Sequence, residues 1–247
     1  MSSTDEGKTW EFETEIYSGR DMREPYFLSI NGNLFFYFFE AGTNPIAFQP
    51  HSMQRMQYIS KGKWSEKEAW AQIGEIAWQY NMKDGEAYTV SYVGSHYSVE
   101  QKENIRLYLN KTKDGINWEP VGGDQTPFVY EGGISEVGWY FDLDGDIWAV
   151  GRNEDGDESG WGRRIAHASK ENIAKWTFTD KESNPSIIES PRMFRHANDL
   201  FLVGRTDPDG KFEQHNFVED ELPNSLHHLI DLVSYSFRRH GDAIWKV

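Results

Sequence analysis

Tyr26-Phe27-Leu28-Ser29-Ile30-Asn31-Gly32-Asn33-Leu34-Phe35-Phe36-Tyr37-Phe38-Phe39 reads as two β-strands joined by a tight turn. Asn and Gly both tolerate positive φ, which a two-residue hairpin turn demands of its central residues. The flanking aromatic and aliphatic residues suit a pleated, half-buried surface. The arrangement recurs. Ile76–Tyr80 and Ala87–Tyr92 flank Asp84-Gly85, and Val137–Phe141 and Ile147–Val150 flank Asp144-Gly145. Met193–Arg195 and Leu200–Val203 flank Asn198-Asp199. Successive turns lie 53, 60 and 54 residues apart.

A second marker keeps the same phase. Trp10, Trp64, Trp118 and Trp176 each follow a small polar turn, at spacings of 54, 54 and 58 residues. Each hairpin is followed by a third strand, such as Ile105–Leu109 or Arg164–His167. The Trp turn comes next, and then a short fourth strand such as Trp176–Thr179. Four antiparallel strands in about 50–60 residues make a unit the size of a propeller blade. In a β-sandwich, hairpin signals would come about every 8–12 residues rather than in paired clusters. The expected fold is therefore all-β, a β-propeller of four-stranded antiparallel blades, forming one domain over residues 1–247. Five blades closed by the two chain ends are favoured. Six are expected if the chain is a fragment, and the domain is then incomplete at one or both ends.

Composition agrees. Of 247 residues, 38% are apolar and 15% aromatic, with 10 Trp, which excludes a disordered chain and an ordinary Ala- and Leu-rich helical protein. Apolar runs such as Leu34–Phe39 are too short to span a bilayer. No charged leader with an apolar stretch opens the sequence, so a cytoplasmic location is expected unless an export signal was trimmed away. The absence of Cys removes disulfides, thiolate zinc sites and cysteine nucleophiles. With 25 Lys and Arg against 40 Asp and Glu, the net charge is −15, which disfavours nucleic acid and anionic membrane surfaces as partners.

In such a fold, the start of the first strand and the end of the second lie on one face of each blade, and their side chains converge on the channel mouth. The first-strand starts carry Arg23-Glu24, Glu75, Glu136 and Arg192. The second-strand ends carry Glu40, His96, Arg152 and Arg205. Paired carboxylates can run glycoside hydrolysis, and arginine forks bind a carboxylate or sulfate. The combination points to a glycan ligand carrying an acidic sugar.

Ser3-Thr4-Asp5-Glu6-Gly7-Lys8-Thr9-Trp10 matches S-x-D-x-G-x-T-W, and so resembles the Asp-box of the sialidase (neuraminidase) superfamily. Thr112–Trp118 resembles a shortened box, Ser169–Trp176 a degenerate one, and Ser60–Trp64 keeps only the ends. The box is a folding device in which a carboxylate accepts backbone N–H groups, Gly supplies an unusual φ and Trp packs between sheets. The resemblance implies further roles. Ser135–Arg152 looks like the stretch from the family's catalytic Glu, here Glu136, to a carboxylate-binding arginine, here Arg152. Arg205 resembles a second such arginine, Arg23 sits like the first, and Arg192 joins them as a substrate-binding candidate. Tyr235 resembles the nucleophilic tyrosine, which Glu136 would deprotonate. No Asp occurs between Asp21 and Asp84, so Glu40 or Glu75 would stand in for the family's acid, and Glu75 completes the catalytic set.

Arg23-Glu24-Pro25 also resembles the R-D-P element of five-bladed glycosidases that act on furanosides and pentosides. Those enzymes use carboxylates throughout, and Glu24, Glu75 and Glu136 would supply them. A non-catalytic carbohydrate-binding propeller is the other alternative, and a protein-interaction propeller a third. No cofactor or metal is expected. Asp142, Asp144, Asp146, Asp155 and Asp157 lack the order of an EF-hand, His227-His228 are adjacent with no H-E-x-x-H to bind zinc, and neither phosphate-binding glycine motif occurs. Phe35–Phe39 are expected in the core, with Trp139 or Trp161 as candidates for stacking on sugar rings.

Overall fold

The computed structural model describes residues 1–44, 49–98, 103–125, 127–179, 181–183, 188–206, 235–240 and 243–246. Within them lie four antiparallel sheets. The first comprises β1 (Asp21–Ile30), β2 (Asn33–Ala41), β3 (Pro50–Ser60) and β4 (Lys63–Trp64), with β5 (Glu68–Ala69) also on β3. The second comprises β6 (Ile76–Lys83), β7 (Glu86–Val93) and β8 (Ile105–Thr112), with β9 (Glu119–Pro120) and β10 (Tyr130–Gly132) along β8. The third runs β11 (Ile134–Phe141), β12 (Ile147–Asp157), β13 (Gly160–Ala168) and β14 (Thr177–Phe178). The fourth runs β15 (Ile188–His196), β16 (Asp199–Thr206), β17 (Tyr235–His240) and β18 (Ala243–Lys246). The fold is all-β, of the β-propeller class with four-stranded antiparallel blades. Among the described residues, the helical element is a single 3-10 turn, Ser95–Tyr97.

The turns show why these strands pair. Asn31 and Gly32 have φ of 51° and 75°, and Asp84 and Gly85 have 51° and 81°, as a two-residue hairpin turn demands. In the fourth sheet His196 pairs with Asp199, so the turn is Ala197-Asn198, one residue upstream of the position expected from the sequence. Ala197 takes the positive φ of 52°. In the third, the loop between Phe141 and Ile147 is longer. Asp142 Oδ1 closes it by accepting the N–H groups of Asp144 at 2.9 Å and Asp146 at 3.0 Å. Oδ2 accepts Trp148 Nε1–H at 3.2 Å.

The Trp turns join third to fourth strands in the first three sheets. In the turn after β8, Asp114 Oδ1 accepts the N–H groups of Ile116 at 2.7 Å and Asn117 at 2.8 Å. The same device folds the N-terminal turn. There Asp5 accepts the Thr9 N–H at 2.9 Å and its hydroxyl at 2.7 Å, and Gly7 takes φ of 82°. Trp10 remains 59% exposed, whereas Trp176 is buried.

Each first strand carries a β-bulge near its start. The register shifts between Arg23 and Tyr26, Ala77 and Gln79, Ile134 and Val137, and Glu189 and Arg192. A bulge inserts one unpaired residue, bends the strand and re-aims the side chains beside it. Glu24 (φ 50°) and Ser190 (φ 51°) occupy the left-handed region there, each directly before a proline.

The chain divides into two compact units, Met1–Glu103 with Asn110–Pro120, and Asn104–Leu109 with Val121–Val247. In the first unit, Phe35, Tyr37, Phe38 and Phe39 are at most 1% exposed. Tyr26 stacks on Tyr80 with ring centroids 4.6 Å apart and donates its hydroxyl to the Tyr80 carbonyl at 2.7 Å. Tyr37 lies 5.1 Å from Tyr80 and donates its hydroxyl to the Gly115 carbonyl. In the second unit, Val150, Met193, Leu200 and Leu202 form a core bordered by Tyr140, Trp148 and Ile165. Gly138 lets β11 and β15 approach closely, since a Cβ there would lie 2.8 Å from the Pro191 carbonyl carbon and 2.9 Å from Arg192 N. Trp139 is fully buried, 5.3 Å from Phe141, and so belongs to the core rather than to a sugar platform; Trp161 is 55% exposed.

Candidate functional site

Glu136 sits at the bulge of β11, 8% exposed, with donors on both carboxyl oxygens. Oε1 accepts from Arg152 at 3.3 Å, and Oε2 accepts the backbone N–H of Ser190 at 2.7 Å. Arg152 reaches it from β12, since Val137 pairs with Gly151 and the two side chains emerge beside each other at the bulge. The same guanidinium nitrogen lies 3.0 Å from Glu154 Oε2. Arg152 and Glu154 are two residues apart on one strand and therefore share a face. Asn153 between them is turned away and 1% exposed, donating to Asp157 Oδ1 at 3.0 Å, the Gly160 carbonyl at 2.7 Å and Ser183 Oγ at 3.0 Å. A guanidinium thus lies between two nearly buried carboxylates. Neither Glu154 nor Ser190 was picked out in the sequence; the Arg-Asn-Glu alternation on β12 would have indicated the first.

Glu75 immediately precedes β6 and is 7% exposed. Its Oε1 accepts Ser91 Oγ–H at 2.5 Å and faces Asn110 Nδ2 at 3.5 Å; Asn110 also donates to Ser91 at 3.1 Å. Burial pushes the Glu75 carboxyl above its ordinary value of 4.5, against hydrogen bonds from Ser91, Gln72 and Asn110 that favour the charged form. Those donors are neutral dipoles. Gly74, at φ 85°, sets the approach to the strand: a Cβ there would run into the Tyr97 carbonyl oxygen.

The other sequence candidates are placed as follows. Arg23 pairs with Asp21 at 2.6 Å with its side chain 52% exposed, and Glu24 occupies the β1 bulge. Glu40 is nearly buried and receives Lys67 Nζ at 2.6 Å. His96 lies in the 3-10 turn, its ring 3.9 Å from that of Tyr97. Arg192 is half-buried on β15. Arg205 lies on β16 with its backbone paired to Glu189, and Tyr235 opens β17 paired to Leu202; their side chains lie outside the described residues. The pair His227-His228 also lies outside them. The structure therefore joins Glu136 to Arg152 directly, and through Arg152 to Glu154.

No protein-family model and no curated protein matches this sequence. Solved structures do. The polysaccharide lyase Uly1 superposes with a TM-score of 0.54 at 12% identity, over 95% of this chain and 51% of that one. A GH43 endo-arabinanase from Bacillus licheniformis gives 0.49 at 14% identity, over 81% and 70%. A GH43_1 enzyme from Xanthomonas citri, solved in complex with xylose, gives 0.46 at 13% identity, over 75% and 66%. The likeness is one of fold. The chain spans about half the length of the lyase and 66% of the Xanthomonas enzyme.

Proposed function

We propose that this chain carries the carboxyl groups of a glycoside hydrolase that cleaves neutral glycans containing pentosides or furanosides. The observation that carries the reading is the position of Arg152 between Glu136 at 3.3 Å and Glu154 at 3.0 Å. An arginine that recognises a substrate carboxylate offers its fork of donors to it. Here an incoming sugar carboxylate would meet a guanidinium that already pairs with two carboxylates, whose negative charge opposes it. A neutral sugar meets no such repulsion.

Hydrolysis of a glycoside needs one carboxyl that holds its proton and one that has lost it. The acid gives its proton to the departing oxygen, and the water that adds to the anomeric carbon gives a proton to a carboxylate. Glu75, buried among neutral donors, has surroundings that favour a retained proton. Glu136, with a guanidinium and a backbone N–H on its two oxygens, has surroundings that favour a carboxylate. Glu24, in the Arg23-Glu24-Pro25 element, is the third carboxyl of this reading. A sialidase reading would need Arg152 available to a substrate carboxylate and Tyr235 as nucleophile.

The test is a panel of chromogenic α-L-arabinofuranosides, β-D-xylosides and sialosides, together with an acidic polysaccharide followed for unsaturated uronide in the ultraviolet. Release from a pentoside, reduced about 10²- to 10⁴-fold in Glu136→Gln, is the expected result. Release from the sialoside, or formation of unsaturated uronide, would overturn it. Silence across the panel with sugar-dependent melting would replace the enzyme by a binding propeller.

A further inference from the structure

We infer that Trp161 is a sugar-binding residue: its outer face stacks on a pyranose ring of a glycan chain, next to the sugar held at Glu136. The inference rests on the proposed glycan-binding role of the Glu136 region, and it adds a second binding position to it.

The indole lies flat on its own hairpin. A Cβ built on Gly156 would lie 2.6 Å from both Cε2 and Cζ3 of Trp161 and 2.7 Å from Cε3. Cε2 and Cζ3 are opposite corners of the six-membered ring, so near-equal distances to all three atoms put that point over the ring centre. One face of the indole is thus seated where a side chain at position 156 would stand. Glycine, at φ 73°, leaves the seat open. Trp161 nevertheless stays 55% exposed, so the opposite face is the one turned to solvent. The hairpin beneath is pinned. Asn153 donates to the Gly160 carbonyl at 2.7 Å, Asp157 Oδ1 accepts the Ser159 N–H at 2.8 Å, and Ser183 donates its N–H to the Ser159 carbonyl at 2.8 Å. An aromatic surface held in place beforehand loses little freedom when a ligand covers it.

Strand register relates this platform to the carboxylates. Arg163 pairs with Arg152, and Trp161 lies two residues from Arg163 on β13, so the three share one face of the sheet. Trp161 is about 7 Å along the strand from that pair, and Arg152 is 3.3 Å from Glu136. A sugar on Trp161 is therefore the neighbour of the sugar at Glu136 and not the same one. The C–H groups on one side of a pyranose chair form a flat apolar patch that matches an indole face, and a puckered furanose offers a smaller one.

The experiment titrates xylose and xylohexaose into the wild-type protein, Trp161→Leu and Trp161→Tyr by calorimetry. Leu covers Gly156 without a flat π-face, whereas Tyr keeps one. Trp161→Leu should bind xylohexaose at least about tenfold more weakly than the wild type, and Trp161→Tyr within about threefold of it. Xylose, which fills only the place at Glu136, should bind all three alike. If xylohexaose is cleaved, KM takes the place of Kd, and kcat should stay within about threefold across the variants. If Trp161→Leu does not fold, Trp161→Ala takes its place. The inference is overturned by a Trp161→Leu that holds xylohexaose as the wild type does, by an equal loss for xylose, or by a Trp161→Tyr as weak as Trp161→Leu. A wild type that binds no xylohexaose overturns it too. Binding without cleavage would sink the hydrolase reading and leave this one to the variants; cleavage with an unaffected Trp161→Leu would do the reverse.

Discussion

Ser190 donates its backbone N–H to Glu136 Oε2 at 2.7 Å, and it does so from the left-handed region, at φ 51°. The bulge at the start of β15 thereby orients a carboxylate on β11. A left-handed L-residue costs about 1–2 kcal/mol, and such strain persists only where surrounding structure holds it. Here Pro191 follows, and Gly138 opens the space through which the two backbones meet.

Replacing Ser190 separates strain from hydrogen bonding. Ser190→Gly retains the N–H and accepts the positive φ, so its stability should stay within about 0.5 kcal/mol of the wild type. Ser190→Val, β-branched at the same φ, should destabilise by about 1–2 kcal/mol. Urea unfolding of both variants, monitored by Trp fluorescence, is the check.

Gly138→Ala places a methyl group 2.8 Å from the Pro191 carbonyl carbon, and backbone cannot swing aside as a side chain would. The expected loss is about 1–3 kcal/mol in urea unfolding.

The pH dependence of Glu75 follows from its raised folded-state pKa. Its favourable contribution is complete below the ordinary value of 4.5 and is lost as pH rises through the folded value, where burial opposes ionisation. Glu75→Gln cannot ionise. The stability of Glu75→Gln relative to wild type should therefore rise as pH climbs above 4.5 and then level off. Parallel thermal melts across a pH series would show it. A constant difference across the series would mean that Glu75 titrates alike in folded and unfolded chains.

Asp5 shifts the other way. The Thr9 hydroxyl and N–H, with Ser3, hold its carboxyl down at about 2 from 3.8. The turn's contribution is present above 3.8 and is lost as pH falls through about 2. Asp5→Ala removes the acceptor for the Thr9 N–H, so amide exchange at Thr9 should quicken at neutral pH while the amide protons of β11 and β12 keep their protection.

Arg152→Ala leaves Glu136 and Glu154 facing each other without the guanidinium, at an expected cost of about 3–5 kcal/mol. Adding Glu154→Gln to Arg152→Ala removes one of the two charges and should recover part of that loss. Urea unfolding of the single and double variants measures the coupling.

The fold was legible because its signals are local. Asn31-Gly32 and Asp84-Gly85 impose φ values that few residue pairs accept, and alternation such as Leu28, Ser29, Ile30 declares which face is buried. The turn of the fourth sheet shifted by one because Ala197 has no intrinsic preference for the positive φ it adopts; pairing of His196 with Asp199 imposes it. Glu75 and Glu136 stood out as charges at strand starts flanked by apolar runs. Their partners did not. Ser91 and Asn110 meet Glu75 from 16 and 35 residues away, and Ser190 meets Glu136 from 54. Only the folded backbone joins them. The bulges, likewise, are register shifts between two strands, and one strand read alone cannot display them.

Beyond each bulge of the first and third sheets the core resumes unchanged, through Leu28 and Ile30 in one and Val137 and Trp139 in the other. At the bulges themselves, the residues are Glu24 with Pro25, Trp78, Ser135 with Glu136, and Ser190 with Pro191, with no common type among them. The recurring strand pattern thus sets where each bulge falls, and the surroundings of each bulge set which residue it carries. Trp78, Ser135 and Glu136 are buried at their bulges, and Glu24 and Ser190 hold a positive φ, so a library that varied all four bulges together would lose stability, and each bulge is better varied singly.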